Sequence, residues 1–166
     1  MITGALPRRP RRRRSSATSH FNVRDTPIRY PPPSIRREER AQHWLLVRGR
    51  GDRPLDGRVE PAEIRAHSSS RRPSVEPGEL AILYAAVWQC LFAVVEVAGV
   101  PEHDPQRERW AWRFRIRPLV AVRDLRAAPP VEAAGVFPQS LWRHSHIRLT
   151  ADQFAAARRL VEEASA

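Results

Sequence analysis

Residues 108–117 read ERWAWRFRIR, and apolar and charged positions alternate along them. Extended backbone sends successive side chains to opposite faces. The pattern therefore predicts a strand with Trp110, Trp112, Phe114 and Ile116 on one side and Ala111, Arg113, Arg115 and Arg117 on the other. A shorter run, HWLLVR at His43–Arg48, predicts a first strand. The stretch LAILYAAVWQCLFAVV, Leu80 to Val95, is apolar almost throughout. At sixteen residues, with Gln89 inside it and Glu96 after it, it is short for a membrane span. The turn signals EPGE before it and AGVPEHDP after it point to two strands joined near Ala86 to Gln89. Their continuous apolar character suits strands buried on both faces, as in a small closed barrel.

Helical periods are rarer. PAEIRAH, Pro61 to His67, predicts a short helix with proline in its first turn. In LTADQFAAARRLVEEA, Thr150 and Gln153 form a capping box, and Leu149 and Phe154 occupy the two positions of a hydrophobic staple. Phe154, Ala157, Leu160, Val161 and Ala164 then recur at helical spacing, so an amphipathic C-terminal helix packs on the sheet. GRGDRPLDG, SSSRRPSVEPG and RDLRAAPP read as loops, and the Arg-Gly-Asp triplet in the first is a chance-level match. The fold class is α+β: a small closed β-barrel with short flanking helices and a C-terminal helix over residues 41–166.

Charge changes this picture at one end. The formal net charge is +11, and all 29 basic residues are arginine, a usage that a GC-rich coding bias explains as readily as selection. Residues 1–40 hold eleven arginines against Asp25, Glu38 and Glu39, a net +8, and the remainder holds eighteen arginines against fifteen acids, a net +3. The first 40 residues, rich in Arg, Pro and Ser, bury too little apolar surface to offset ordering entropy and read as a disordered basic tail. No apolar core follows Arg14, so a secretory leader is not expected, and the amphipathic spacing of a transit peptide is missing. The arginine run Arg8–Arg14 suits phosphate, or is simply a solvated extension.

Catalytic signals are sparse. Cys90, the single cysteine, lies in an apolar stretch and reads as a small buried hydrophobe in a reducing, cytoplasmic setting. His144 and His146 alternate as on one face of a strand, but no third ligand of matching logic accompanies them, and no metal or other cofactor is expected. The chain has no Gly-rich phosphate loop, no Gly-x-Ser-x-Gly elbow and no deaminase zinc signature, so an enzyme is not expected.

The order of the motifs resembles a known family. HWLL, ELAILYAAVWQCLFAVVEVAG, ERWAWRFRIRPL and IRLTADQF follow one another as in EVE domains and their YTH relatives of the PUA-like superfamily, over Ala41 to Ala166. The resemblance implies a non-catalytic, monomeric domain that binds DNA or RNA and holds a flipped or modified nucleobase between aromatic rings. It puts Trp88, Trp110, Trp112 and Tyr84 forward as base-binding residues. By position, Trp110 matches a tryptophan that is chiefly structural in YTH domains, whereas Trp88 and the loop from Val100 to Arg109 lie where cage elements are expected. Trp44 and Trp142 are assigned to packing. Arg113, Arg115 and Arg117, with Arg143 and Arg148, are either a phosphate track or the solvated side of an edge strand. VRGRGDRP and PAEIRAHSSSRRP depart from the segments that carry polar ligand contacts in EVE domains, so the resemblance assigns no residues there. Two other functions stand beside base recognition: unspecific nucleic-acid binding by the tail, and a small-molecule or protein-interaction module on the same fold.

Overall fold

The computed structural model describes residues 42–51 and 53–166, and the expectation of a disordered tail over residues 1–40 lies outside them. Among the described residues there are seven strands: β1 (His43–Arg48), β2 (Ala66–Ser69), β3 (Leu80–Ala85), β4 (Cys90–Val97), β5 (Glu102–His103), β6 (Trp112–Ala121) and β7 (His146–Leu149). They form one sheet in the order β2-β6-β4-β3-β1-β7, with β5 also paired to β6. β1 runs parallel to β3, and the other pairings are antiparallel.

The two central strands divide where the apolar stretch predicts. β3 and β4 are separated by Ala86–Gln89, and Gln89 takes a left-handed conformation, φ 53°, to complete the turn. Both strands are buried almost end to end because each of their faces meets a core of its own. Ala81, Leu83 and Ala85 join Trp44, Leu46, Phe92, Phe114 and Ile116 in one cluster. Ile82 and Tyr84 join Leu45, Val47, Leu91, Phe154 and Val161 in the other. The second cluster is completed by α1 (Ala151–Ser165), which buries Phe154, Ala157 and Val161. Each of the large ones contributes about 1.5–3 kcal/mol by leaving water. The capping box is formed: the Gln153 amide donates to Thr150 Oγ1 at 3.2 Å, and the Thr150 amide donates to Gln153 Oε1 at 3.1 Å. Gln153 also donates through Nε2 to the Gly135 carbonyl at 2.9 Å, tying the helix start to the preceding loop.

Three expectations are corrected. The sheet is a curled half-barrel and not a closed one, since no backbone ladder joins β2 to β7. Its two ends meet through side chains instead: Ser69 Oγ, at the end of β2, and Ser145 Oγ, just before β7, are 2.7 Å apart and both residues are buried. β2 is only four residues long, and Ser69 Oγ turns back onto the Arg71 carbonyl at 2.6 Å, which ends the strand. Next, Pro61 to His67 is not one helix. A single 3₁₀ turn spans Pro61–Glu63, and the chain then enters β2, where Ala66 and His67 pair with Arg115 and Phe114. Pairing with a long neighbouring strand outweighs a weak local helical preference.

Finally, β6 starts at Trp112, and Trp110 stands outside it with φ 59°. From Trp112 onward the predicted alternation holds, with Phe114 and Ile116 buried and Arg113, Arg115 and Arg117 exposed. The strand tolerates Pro118 because the ladder to β4 shifts register there, between Val94 and Val95. Among the described residues no helix is long and apolar enough to cross a membrane.

Candidate functional site

The Arg48–Leu55 segment turns sharply as it leaves β1. Gly49 has φ +63°, and a Cβ there would lie 2.7 Å from the Leu55 side chain and 2.8 Å from its backbone nitrogen, so only glycine fits the turn. The loop folds back on itself and faces the 107–110 segment and the start of β2. Between them lies a cavity of about 710 Å³, within the range of small-ligand sites. Among the described residues Arg48, Arg50, Arg53, Arg107 and Arg109 line it with one acid, Glu108, and Trp110 supplies an aromatic wall.

The cavity is polar and partly built. Arg50 is held by the backbone after the Pro138–Leu141 turn: its Nη1 donates to the Trp142 carbonyl at 2.7 Å and its Nη2 to the His144 carbonyl. Its guanidinium carbon also sits 5.5 Å from the Trp110 ring centre, whereas its Nε is buried with no partner among the described residues. Burial lowers the pKa of Arg48, whose guanidinium nevertheless stays charged at neutral pH. Arg107 shares its charge with Asp104 at 3.2 Å. Gathering cations in a recess raises their mutual repulsion, which an anion relieves.

His67 closes the site from below. It is 2% exposed, lines the cavity, and stacks at a tilt on Phe114 with 5.4 Å between ring centres. Burial first, then the nearby charges of Arg48 and His146, push its pKa down to about 3, so the ring is neutral at physiological pH. The Ser145 carbonyl opposes the shift as an acceptor for the ring, and Nε2 is left buried with no partner among the described residues. A neutral imidazole that gives its single proton to a carbonyl presents its other nitrogen as an acceptor.

The residues singled out from sequence are spread over the molecule. Of the four aromatic candidates, Trp110 lines this cavity and Trp88, Trp112 and Tyr84 do not. Trp88 lies in the β3–β4 turn, donates to the Leu55 carbonyl at 2.9 Å and packs under Gly57. Trp112 is half-buried, with His103 edge-on at 5.1 Å and Arg72 over its ring at 5.5 Å. Tyr84 is 3% exposed and belongs to the helix-side core. Arg113, Arg115 and Arg117 project outward from β6, and Arg117 is ion-paired with Glu96. Arg148 lies 5.5 Å over Trp44, and Arg143 is exposed beside Trp142. None of these five arginines lines the cavity. His144 precedes β7 and is exposed, so it does not share a strand with His146. Among the described residues no three His, Cys, Asp or Glu side chains gather as a metal site.

What the sequence reading missed is Arg48, Arg50 and Arg53. Their signal was present in VRGRGDRP, where arginines alternate with the glycines of a tight turn, but this is the segment in which the chain departs from the EVE pattern. The Val100 to Arg109 loop, by contrast, was placed near a site, and its last three residues do line the cavity.

No protein-family model matches this sequence, and a comparison with curated proteins gives no match. Solved structures do share its fold. A protein from Agrobacterium tumefaciens aligns with 14% identity over 73% of this chain and 93% of its own, at a TM-score of 0.52. One from Pseudomonas putida aligns with 12% identity over 72% and 99%, at a TM-score of 0.50. Human THYN1, in a complex with 5-methylcytosine containing DNA, aligns with 13% identity over 73% and 98%, at a TM-score of 0.49. The two bacterial structures speak to the fold alone.

Proposed function

We propose that this domain binds nucleic acid as a monomer, without altering it chemically, by drawing one nucleotide into the arginine-lined cavity. The observation that carries the reading is the convergence of five arginines and the Trp110 ring on one recess of about 710 Å³, with the neutral ring of His67 in its wall. A nucleotide has what these require: anionic oxygens for guanidinium forks and a π-face for an indole.

A base that leaves its stack loses neighbours on both faces, and stacking on an aromatic ring returns about 1–3 kcal/mol. Trp110 is suited to that role because its left-handed backbone holds the indole off the strand and against the cavity. Such a conformation costs on the order of 1 kcal/mol or more in a non-glycine residue and persists where surrounding structure enforces it. A methyl group on the base adds on the order of 0.8 kcal/mol if fully buried, so sensitivity to modification is a matter of fit more than of area.

The test is a titration with single-stranded DNA and RNA hexamers centred on each of the four bases and on 5-methylcytosine, at two salt concentrations. Wild-type protein and a form lacking residues 1–40 are compared. Binding that survives loss of the tail and collapses in Arg53→Glu/Arg109→Glu supports the cavity. Binding lost with the tail alone would assign nucleic-acid contact to residues 1–40, and no binding by either form would leave a small-molecule or protein-interaction role.

A further inference from the structure

A second recess adjoins the first. About 210 Å³ in volume, it is lined by Val47, Tyr84, Val87, Leu141 and Trp142, and it shares Arg50 and Val47 with the arginine-lined cavity. Trp142 is 69% exposed and Val87 54% exposed, a large outlay of apolar surface for a chain whose other indoles are at least half covered. Trp44, Trp88, Trp110 and Trp112 each carry an arginine guanidinium within 6.0 Å of the ring centre, whereas among the described residues none lies over Trp142.

Resting on the function proposed above, we infer that Trp142 is the stacking platform of a second nucleotide subsite, which takes the base next in the strand to the one held in the cavity. Three features favour a neighbouring base over any other occupant. The two recesses share Val47 and Arg50 as a wall, so the second lies next to the first. Arg50 bridges them: it lies over Trp110 in the first and donates to the Trp142 carbonyl at 2.7 Å at the rim of the second, leaving its charge between two adjacent bases, where the linking phosphate runs. The smaller recess is mainly apolar, which suits the flat face of a base and gives no purchase to a free phosphate. Its tryptophan stacks on any base, so the subsite adds affinity and length dependence and little sequence preference.

The experiment compares mononucleotides with hexamers. Affinities of wild type, Trp142→Ala and Trp142→Phe are measured for the monophosphate of the base preferred in the cavity and for the hexamer centred on it. Wild type is expected to gain affinity from monophosphate to hexamer. Trp142→Ala should lose about five- to a hundred-fold on the hexamer and less than twofold on the monophosphate, with Trp142→Phe recovering most of the difference. Two results overturn the subsite: a hexamer affinity unchanged in Trp142→Ala, or equal losses on both ligands, which would mean that Trp142 acts only through Arg50. Failure of wild type to bind either ligand overturns the nucleotide reading itself, and the subsite with it.

Discussion

Two groups of arginines show what position does to one side chain. Arg113, Arg115 and Arg117 sit two apart on the outer face of β6, where strand geometry spaces them and water surrounds them, and Arg117 is already neutralised by Glu96. Arg48, Arg50, Arg53, Arg107 and Arg109 come from the end of β1 with the loop after it and from the 107–110 segment, more than fifty residues apart in the chain, and converge on one recess. The first group follows the logic of an edge strand, where charge discourages stray pairing. The second concentrates positive potential in a concave site beside a buried neutral imidazole. The lesson is that the obvious basic stripe of this sequence is the less focused of its two basic surfaces.

The largest expected effect tests what supports the recess. Trp88 packs under Gly57 and holds the Leu55 carbonyl, so Trp88→Ala should destabilise the fold by about 2–4 kcal/mol, read as a shift of the urea midpoint. A loss below about 0.5 kcal/mol would show that the 55–57 segment does not depend on it. Next comes the direct contrast. Arg53→Glu/Arg109→Glu should weaken hexamer binding by about 2–3 kcal/mol at low salt and flatten its salt dependence. Changing Arg113, Arg115 and Arg117 together to glutamine should alter binding by less than about 0.5 kcal/mol. Equal losses from the two sets would make β6 a phosphate track and erase the distinction.

Protonation separates the regions more gently. The folded His67 pKa lies at about 3, below the ordinary 6.5, because burial and then Arg48 and His146 disfavour the cation. As pH falls below 6.5 the unfolded chain takes up a proton that the folded chain refuses, so stability declines with falling pH. The slope approaches about 1.4 kcal/mol per pH unit for this one group. His43 and His146, also lowered by burial, act in the same direction. Denaturation measured between pH 7 and pH 4 should show this slope, reduced by about one proton in His67→Gln; an unchanged slope would place the titration elsewhere. The smallest effect concerns Cys90, whose thiol burial pushes up to about 11. It should react with a thiol reagent only as the domain opens, and fast labelling of native protein would contradict its place in the core.

The strands at His43–Arg48, Leu80–Ala85, Cys90–Val97 and Trp112–Ala121, and the capped helix from Ala151, were legible in the sequence. Each is declared by a local period or by side-chain caps within a few residues. The inward faces of Phe114 and Ile116 and the outward arginines of β6 followed from the same alternation. Other features depend on contacts between distant segments. Pro61 to His67 becomes a turn and a strand because β6 offers it a ladder, and Trp110 leaves the strand for a left-handed conformation at the cavity wall. The sheet stays open because its ends meet at Ser69 and Ser145 through hydroxyl groups and not through backbone pairing. The arginines of the site were all visible as residues, but only the curl of the sheet brings 48–53 opposite 107–110. Periodicity along a chain says which way a side chain points, whereas which side chains point at each other is set by how far the sheet bends.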